Sequence, residues 1–320
     1  MSVKSHHPFV TRRGLLALAM LGTAALTGCG TLGPSNADQS ATPEPVPVPP
    51  KLRAPRVGLA LGGGAARGFA HVGVIQVLEQ NGIKPDLVVG TSAGSLVAAL
   101  YASGKNGSEL EQAALQMEEA TIADWTLPLF NRGLLRGEAL ARYVNRQVQG
   151  KQLHEMSMPL GIVATELGTG KGVLFQRGDT GAAVRASSAV PGVFTPVQIS
   201  GKDYVDGGLV APVPVEQARQ MGAELVIAVD ISSAPDGQAT TDAFRVVLQT
   251  FAIMGQSINK YVLSGADVVV RPSLQGVGSA DFASRQRSMV AGREAMHAML
   301  PRLREQLQAL RRPELAARSL

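Results

Sequence analysis

Between Val57 and Gly94 two apolar runs are joined through a glycine-rich loop and a helix-like segment, and that order limits what the rest can build. Val57-Gly58-Leu59-Ala60-Leu61 has no polar side chain over five positions, which predicts a strand buried on both faces. Gly62-Gly63-Gly64-Ala65-Ala66-Arg67-Gly68 follows. Phe69 to Gln80 then carries Val72, Val74, Ile75, Val77 and Leu78 among His71, Gln76 and Glu79, a helix mostly buried on one side, and Asn81-Gly82 ends it. A second run, Leu87-Val88-Val89, leads into Gly90-Thr91-Ser92-Ala93-Gly94. Strand, helix and strand within about 35 residues form a βαβ unit with parallel strands. The 62–68 loop and the 90–94 turn then lie at the carboxyl ends of neighbouring strands, where open α/β sheets bind ligands.

The later sequence continues the alternation. Helical patterns run from Glu109 to Glu119 and from Glu138 to Gln149, and strands from Pro159 to Thr165 and Gly172 to Gln176. Val197-Gln198-Ile199 and Tyr204-Val205 flank a turn at Ser200-Gly201-Lys202-Asp203, so they read as a hairpin. Leu225 to Val229 is another buried strand, Thr241 to Ser264 a long helix, and Val268 to Val270 a last strand. Ser284 to Arg311 reads as an amphipathic helix interrupted near Pro301, with Arg312-Pro313 as its stop. Only 4% of residues are aromatic, whereas Gly alone numbers 36, which favours α/β over an aromatic-rich β-sandwich.

The first 55 residues stand apart from this pattern. Lys4, Arg12 and Arg13 precede an apolar stretch from Gly14 to Gly28, too short for a comfortable membrane span and suited to a signal h-region. It ends Leu26-Thr27-Gly28-Cys29, which resembles the bacterial lipoprotein cleavage box, in which the cysteine becomes the lipidated first residue. Residues 1–28 are thus expected to be a signal peptide, 29–55 a lipidated Cys29 with a tether, and 56–320 the folded domain. Seven prolines between Thr31 and Pro55 favour an extended polyproline spacer. On this reading the protein is expected on a bacterial cell envelope. With Gly30 rather than Asp after the cysteine, a Gram-negative source implies the periplasmic face of the outer membrane. Cys29 is the only cysteine, so no intrachain disulfide can form. The leader holds three of the 30 Lys and Arg and none of the 25 acids, so the remainder is nearly neutral and nucleic-acid binding gains no support.

Ser92 sits at the apex of a glycine-bounded strand–turn–helix, the backbone that presents a serine hydroxyl as a nucleophile. The 62–68 loop lacks the lysine of a P-loop and the Gly-x-Gly-x-x-Gly spacing of a dinucleotide site. An oxyanion hole remains, since glycines let amide N–H groups come close to a reacting carbonyl. A serine nucleophile also needs a base. His6 and His7 lie in the leader, His71 on the packed helix, and His154 in a polar connection. His297 sits in the C-terminal helix, whereas triad histidines come from loops at the strand ends. Asp206-Gly207-Gly208, at a strand end in an apolar setting, is the better base, with Asp230 a rival by position and Asp203 expected in solvent.

The 62–68 loop, the Gly90–Gly94 elbow, the run Ala186-Ser187-Ser188-Ala189-Val190-Pro191-Gly192-Val193-Phe194-Thr195-Pro196 and Asp206-Gly207-Gly208 occur in the order and spacing of patatin-like phospholipases, which this chain resembles from about Arg56 to Asp230. The resemblance implies a three-layer α/β/α sandwich around a mainly parallel sheet. It also implies hydrolysis of lipid acyl esters (phospholipid, lysophospholipid or acylglycerol) by a Ser92–Asp206 dyad, with no metal or cofactor. Amides of Gly62, Gly63, Gly64, Ala65, Arg67 or Gly68 would form the oxyanion hole. Aligned on Arg67-Gly68, Ala65 replaces the third glycine of the family loop, which leaves the donor open by one residue. Two rival readings use the same residues: a lipid-binding or assembly lipoprotein that keeps the fold without activity, and an α/β-hydrolase esterase using His297. Trp125, Leu127, Leu129 and Phe130 are either core or a membrane-facing lid. The oligomeric state is not readable from the chain.

Overall fold

The computed structural model describes residues 52–118, 124, 133–232, 243–278 and 280–313. The signal peptide, Cys29, nearly all of the expected tether, and Trp125, Leu127, Leu129 and Phe130 lie outside them.

The sheet grows from the apolar runs. Strands β2 (Val57–Leu61), β3 (Leu87–Thr91), β5 (Leu160–Glu166) and β10 (Leu225–Val229) are buried almost throughout, as strands covered by helices on both faces must be. With β8 (Val197–Ile199), β9 (Lys202–Asp206) and β11 (Val268–Val270), the order is β11-β10-β2-β3-β5-β9-β8, and β6 (Gly172–Phe175) also pairs with β5. The pairs from β11 through β5 are parallel, the β5–β9, β9–β8 and β5–β6 pairs are antiparallel, and β4 (Gly133–Leu135) with β7 (Gly192–Phe194) forms a separate parallel pair. The mainly parallel α/β architecture is the one expected.

Among the helices are α1 (Phe69–Gln80), α2 (Ala93–Ala102), α3 (Gly107–Gln116), α4 (Glu138–Gln147), α5 (Thr180–Ser187), α6 (Val215–Gln220), α7 (Ala243–Val262) and α8 (Arg285–Ala309). Asn106 caps α3 with a capping box: its side chain takes the N–H groups of Ser108 and Glu109, and Glu109 reaches back to the Asn106 N–H. Helix α8 lies against α1 at glycines. A Cβ on Gly73 would collide with the Met289 carbonyl, and one on Gly292 with the Ala70 carbonyl, so the two backbones nearly touch.

Three boundaries differ from the expectation. Helix α8 runs unbroken through Pro301. Its buried residues Met289, Gly292, Met296, Leu300 and Leu303 keep helical spacing on both sides, while Pro301 faces solvent, so packing outweighs one lost backbone bond. The hairpin turn is shorter than four residues. Ser200 and Gly201 alone turn, at φ 50° and 79°, and Ile199 pairs with Lys202, so Lys202 and a half-buried Asp203 belong to β9. Regular structure is also present ahead of residue 56. Strand β1 (Leu52–Arg53) pairs with β12 (Arg312–Pro313), the residues expected only to stop the helix. Arg53 grips Glu224 through two hydrogen bonds of 2.6 and 2.8 Å, and Glu224 also accepts from the Arg56 N–H at 2.9 Å. Those bonds hold the Glu224 carboxyl at about 2.

Candidate active site

The register of β5 assembles the site. Thr91, the last residue of β3, lies opposite Val163, and Asp206, the last of β9, lies opposite Ala164. Adjacent residues of one strand therefore bring the Ser92 turn and the Asp206 turn together, although they are far apart in sequence. Thr91 Oγ1 donates to the Ala211 carbonyl at 2.8 Å, and Thr165 Oγ1 to the Asp206 carbonyl at 2.9 Å, which tie the two turns to their surroundings.

Ser92 adopts φ 52°, ψ −122°, a left-handed backbone that costs a non-glycine residue about 1–3 kcal/mol. Its flanking glycines are sterically required: a Cβ on Gly90 would strike the Gly94 carbonyl, and one on Gly94 the Leu61 carbonyl. The Ser92 N–H donates to Ser187 Oγ at 2.9 Å, and Ser187 Oγ donates in turn to the Val163 carbonyl at 2.5 Å. The Ser92 carbonyl accepts from the Ser95 N–H at 2.8 Å and from Ser95 Oγ at 2.6 Å. These bonds hold the strained turn. Helix α2 starts at the next residue, and the amides of Ala93 and Gly94, at its start, lack partners inside the helix.

Asp206 is fully buried, and that burial pushes its carboxyl up to about 6. The Ser92 hydroxyl and the Gly208 N–H act in the opposite direction, as hydrogen-bonding neighbours of the ionised form. Oδ1 accepts from the Gly208 N–H at 2.7 Å. Among the described residues Oδ2 has no partner that meets hydrogen-bond geometry, which leaves it an open acceptor on a carboxyl that Ser92 neighbours. Such pairs are often long before a substrate tightens them. Gly207 leaves no room for a side chain, since a Cβ would strike the Val163 carbonyl. At Gly208 a Cβ would fall 2.9 Å from Asp206 Oδ1.

The glycine loop flanks the serine: a Cβ on Gly63 would be 3.1 Å from the Ser92 Cβ. Its N–H groups are not equivalent. The Gly62 N–H donates to the Val229 carbonyl at 3.0 Å and the Gly63 N–H to the Pro212 carbonyl at 2.9 Å. The Arg67 N–H donates to the Gly64 carbonyl at 3.2 Å. Gly68 serves packing, as a Cβ there would meet the Ala93 Cβ at 2.8 Å. Among the described residues nothing accepts from the N–H groups of Gly64 and Ala65, which are left as donors. Ala65 has φ 51°, so the residue replacing the family's third glycine still takes a glycine-like backbone.

His71 takes a role behind the loop. It is fully buried, and its Nε2–H donates to the Gly62 carbonyl at 2.8 Å, which leaves Nδ1 as a lone pair without a partner among the described residues. Burial lowers its pKa to about 4, so it is neutral. His71→Phe would leave the buried Gly62 carbonyl unpaired and is expected to lower unfolding free energy by about 1–3 kcal/mol, read from the urea midpoint. The other basic candidates stand elsewhere. Asp230 is tied to Ser232 (3.1 and 2.7 Å), Asn259 (3.3 Å) and Arg271 (3.3 Å). His154 is exposed in a short 3-10 turn, Leu153–Glu155, and His297 is exposed on α8.

The sequence does not mark Ser187 or the two threonines as site residues. Ser187 lies within the Ala186–Pro196 run, but a serine in a Ser-Ser pair carries no periodicity that marks a bridge.

A serine at a strained strand-to-helix turn, on the carboxyl edge of a mostly parallel sheet, puts the chain among α/β proteins with an elbow of this kind. Its family is narrower. Residues 59–219, half of the chain, match the family model described as patatin-like phospholipase, and the chain belongs to that family. An uncharacterized NTE family protein of Mycobacterium tuberculosis is 38% identical over 200 residues, which are 61% of this chain and 55% of that protein. Patatin-like phospholipase domain-containing protein 6 of Homo sapiens is 34% identical over 193 residues, 58% of this chain and 14% of that protein. The chain thus spans about half, or much less, of the length of the relatives it matches. The crystal structure of VipD from Legionella pneumophila shares the fold, with a TM-score of 0.52 at 14% identity over 80% of this chain and 67% of that one.

Proposed function

We propose that the chain is a serine acyl hydrolase acting on lipid esters. The observation that carries this reading is a buried carboxylate, raised to about 6 and open at Oδ2, beside a serine held in a strained elbow. Ser92 Oγ attacks the acyl carbonyl carbon while its proton passes to Asp206 Oδ2. The negative charge on the carbonyl oxygen is met by the Gly64 and Ala65 amides, each such donor contributing about 3–4 kcal/mol. The C–O bond breaks and the alcohol leaves with the proton from Asp206. Water then gives a proton to Asp206 and attacks the acyl-enzyme, and the fatty acid departs as Ser92 regains its proton.

The lipid character of the substrate rests on the family and on its named relatives, which include lysophospholipase nte1 of Aspergillus fumigatus, 32% identical over 56% of this chain. Release of free fatty acid from a phospholipid, lysophospholipid and acylglycerol panel tests it, and no release from any member would refute it. The His297 alternative is tested separately. His297→Ala is expected to keep ester hydrolysis within about twofold of the parent, because nothing in the proposed steps uses it.

Attachment to a bacterial envelope through a lipidated Cys29, ahead of a folded domain, belongs to the same proposal. Metabolic labelling with palmitate is expected to tag the parent chain and not Cys29→Ser. Equal labelling of both would remove the anchor.

A further inference from the structure

We infer that the outward stripe of α7 is a docking face for an anionic lipid surface. Val246, Val247, Ile253, Met254 and Tyr261 are all exposed, Tyr261 by 80%. They are five of the nine large hydrophobic residues that stand exposed among the described residues, so the exposure is concentrated rather than scattered. At about 3.6 residues per turn the five fall within one third of the helix circumference.

Thr250 and Ser257 share the stripe, but their hydroxyls are spent on the helix itself. Thr250 Oγ1 donates to the Val246 carbonyl at 2.8 Å and Ser257 Oγ to the Ile253 carbonyl at 3.0 Å. The face therefore offers methyl and methylene groups with few hydroxyl protons seeking water. Patches of this kind mark interaction sites.

The choice of a lipid surface rests on the proposed lipid-ester hydrolysis and on charge. The only ionic residues within α7 are Arg245 and Lys260, both cationic, and exposed Lys260 borders the stripe. A second copy of the helix would offer no acid to meet them, whereas anionic headgroups would. Tyr261, with an apolar ring and a polar tip, suits the headgroup level. No helix among the described residues is long and apolar enough to cross a membrane, so α7 would lie in the interface plane along its length of about 30 Å. Its inner face already touches the site. The Phe251 ring lies 3.1 Å from where a Gly208 Cβ would be, beside Asp206, and Asn259 reaches Asp230. A surface under the stripe would thus be separated from the Asp206-Gly207-Gly208 turn by the helix itself.

The test uses the full chain carrying Cys29→Ser, so that one new thiol can be labelled with a polarity-sensitive fluorophore. Met254→Cys is compared with Leu167→Cys, an exposed position on the β5–β6 turn. Vesicles of phosphatidylethanolamine and phosphatidylglycerol are expected to blue-shift the label at 254 and not at 167. No shift at 254, or equal shifts at both positions, would overturn the proposal. So would a shift at 254 that follows protein concentration without vesicles, which would mean that a second copy covers the stripe. In parallel, Val247→Asn with Met254→Asn is expected to slow turnover of vesicle-borne phospholipid about tenfold and to leave a soluble short-chain ester untouched. Equal losses on both substrates would count against docking. A parent chain inactive on the soluble ester would sink the hydrolase reading instead, and the label at 254 would still decide the docking.

Discussion

Ser92→Ala is expected to lower hydrolysis of a short-chain p-nitrophenyl ester by about 10,000-fold or more, with the unfolding midpoint close to that of the parent. Alanine keeps the Cβ, the backbone angles and the N–H bond to Ser187, and removes only the oxygen that would carry the acyl group. The strained elbow adds a second arm. Ser92→Gly relieves the φ 52° backbone and is expected to be equally inactive yet more stable, by about 1 kcal/mol. A serine that were merely structural would lose stability in both variants and little else. Retained activity in either variant would remove Ser92 from the chemistry.

Asp206→Asn is expected to lose about 1,000-fold or more in kcat/KM, because the amide keeps the shape but cannot take a proton. In the parent, kcat/KM is expected to rise with pH through about 6, where the buried carboxyl gives up its proton and becomes a base. Stability runs the other way. Asp206 holds its proton more tightly folded than unfolded, so its favourable contribution is complete below the ordinary 3.8 and is lost as pH climbs through about 6. The gap between those values corresponds to about 3 kcal/mol of cost for the ionised form in the folded state. Asp206→Asn is therefore expected to be more stable than the parent above that window, by as much as about 3 kcal/mol, with the gain fading on the acid side. Denaturant midpoints across the window read this directly. An inactive variant with unchanged stability at high pH would mean that Asp206 is not held in a desolvated, ionised state.

Much of this arrangement is legible in the residues because it is local. A buried strand, a tight glycine turn and a following helix each leave a short-range pattern, so β2, α1, β3 and the Ser92 elbow can be placed from the order of apolar residues alone. Asp206 is visible as an acid at a strand end before two glycines. Its meeting with Ser92 is not visible, because it depends on which residues of β5 face β3 and β9, a register fixed by long-range packing. The glycine loop shows the same divide. Composition marks it as a close-approach loop, but only the fold reveals that Gly62 and Gly63 spend their N–H groups on Val229 and Pro212. Pro301 misleads for a related reason: a local breaker carries no sign of the α1 surface that keeps α8 in place.

The proposed chemistry puts an acyl group on one oxygen atom, and a fluorophosphonate probe reports that atom. Mass spectrometry of the labelled and digested chain should find the phosphonyl adduct on the peptide carrying Ser92 in the parent, and none in Ser92→Ala. An adduct on another residue, or ester hydrolysis by a chain whose Ser92 stays unlabelled, would contradict the dyad.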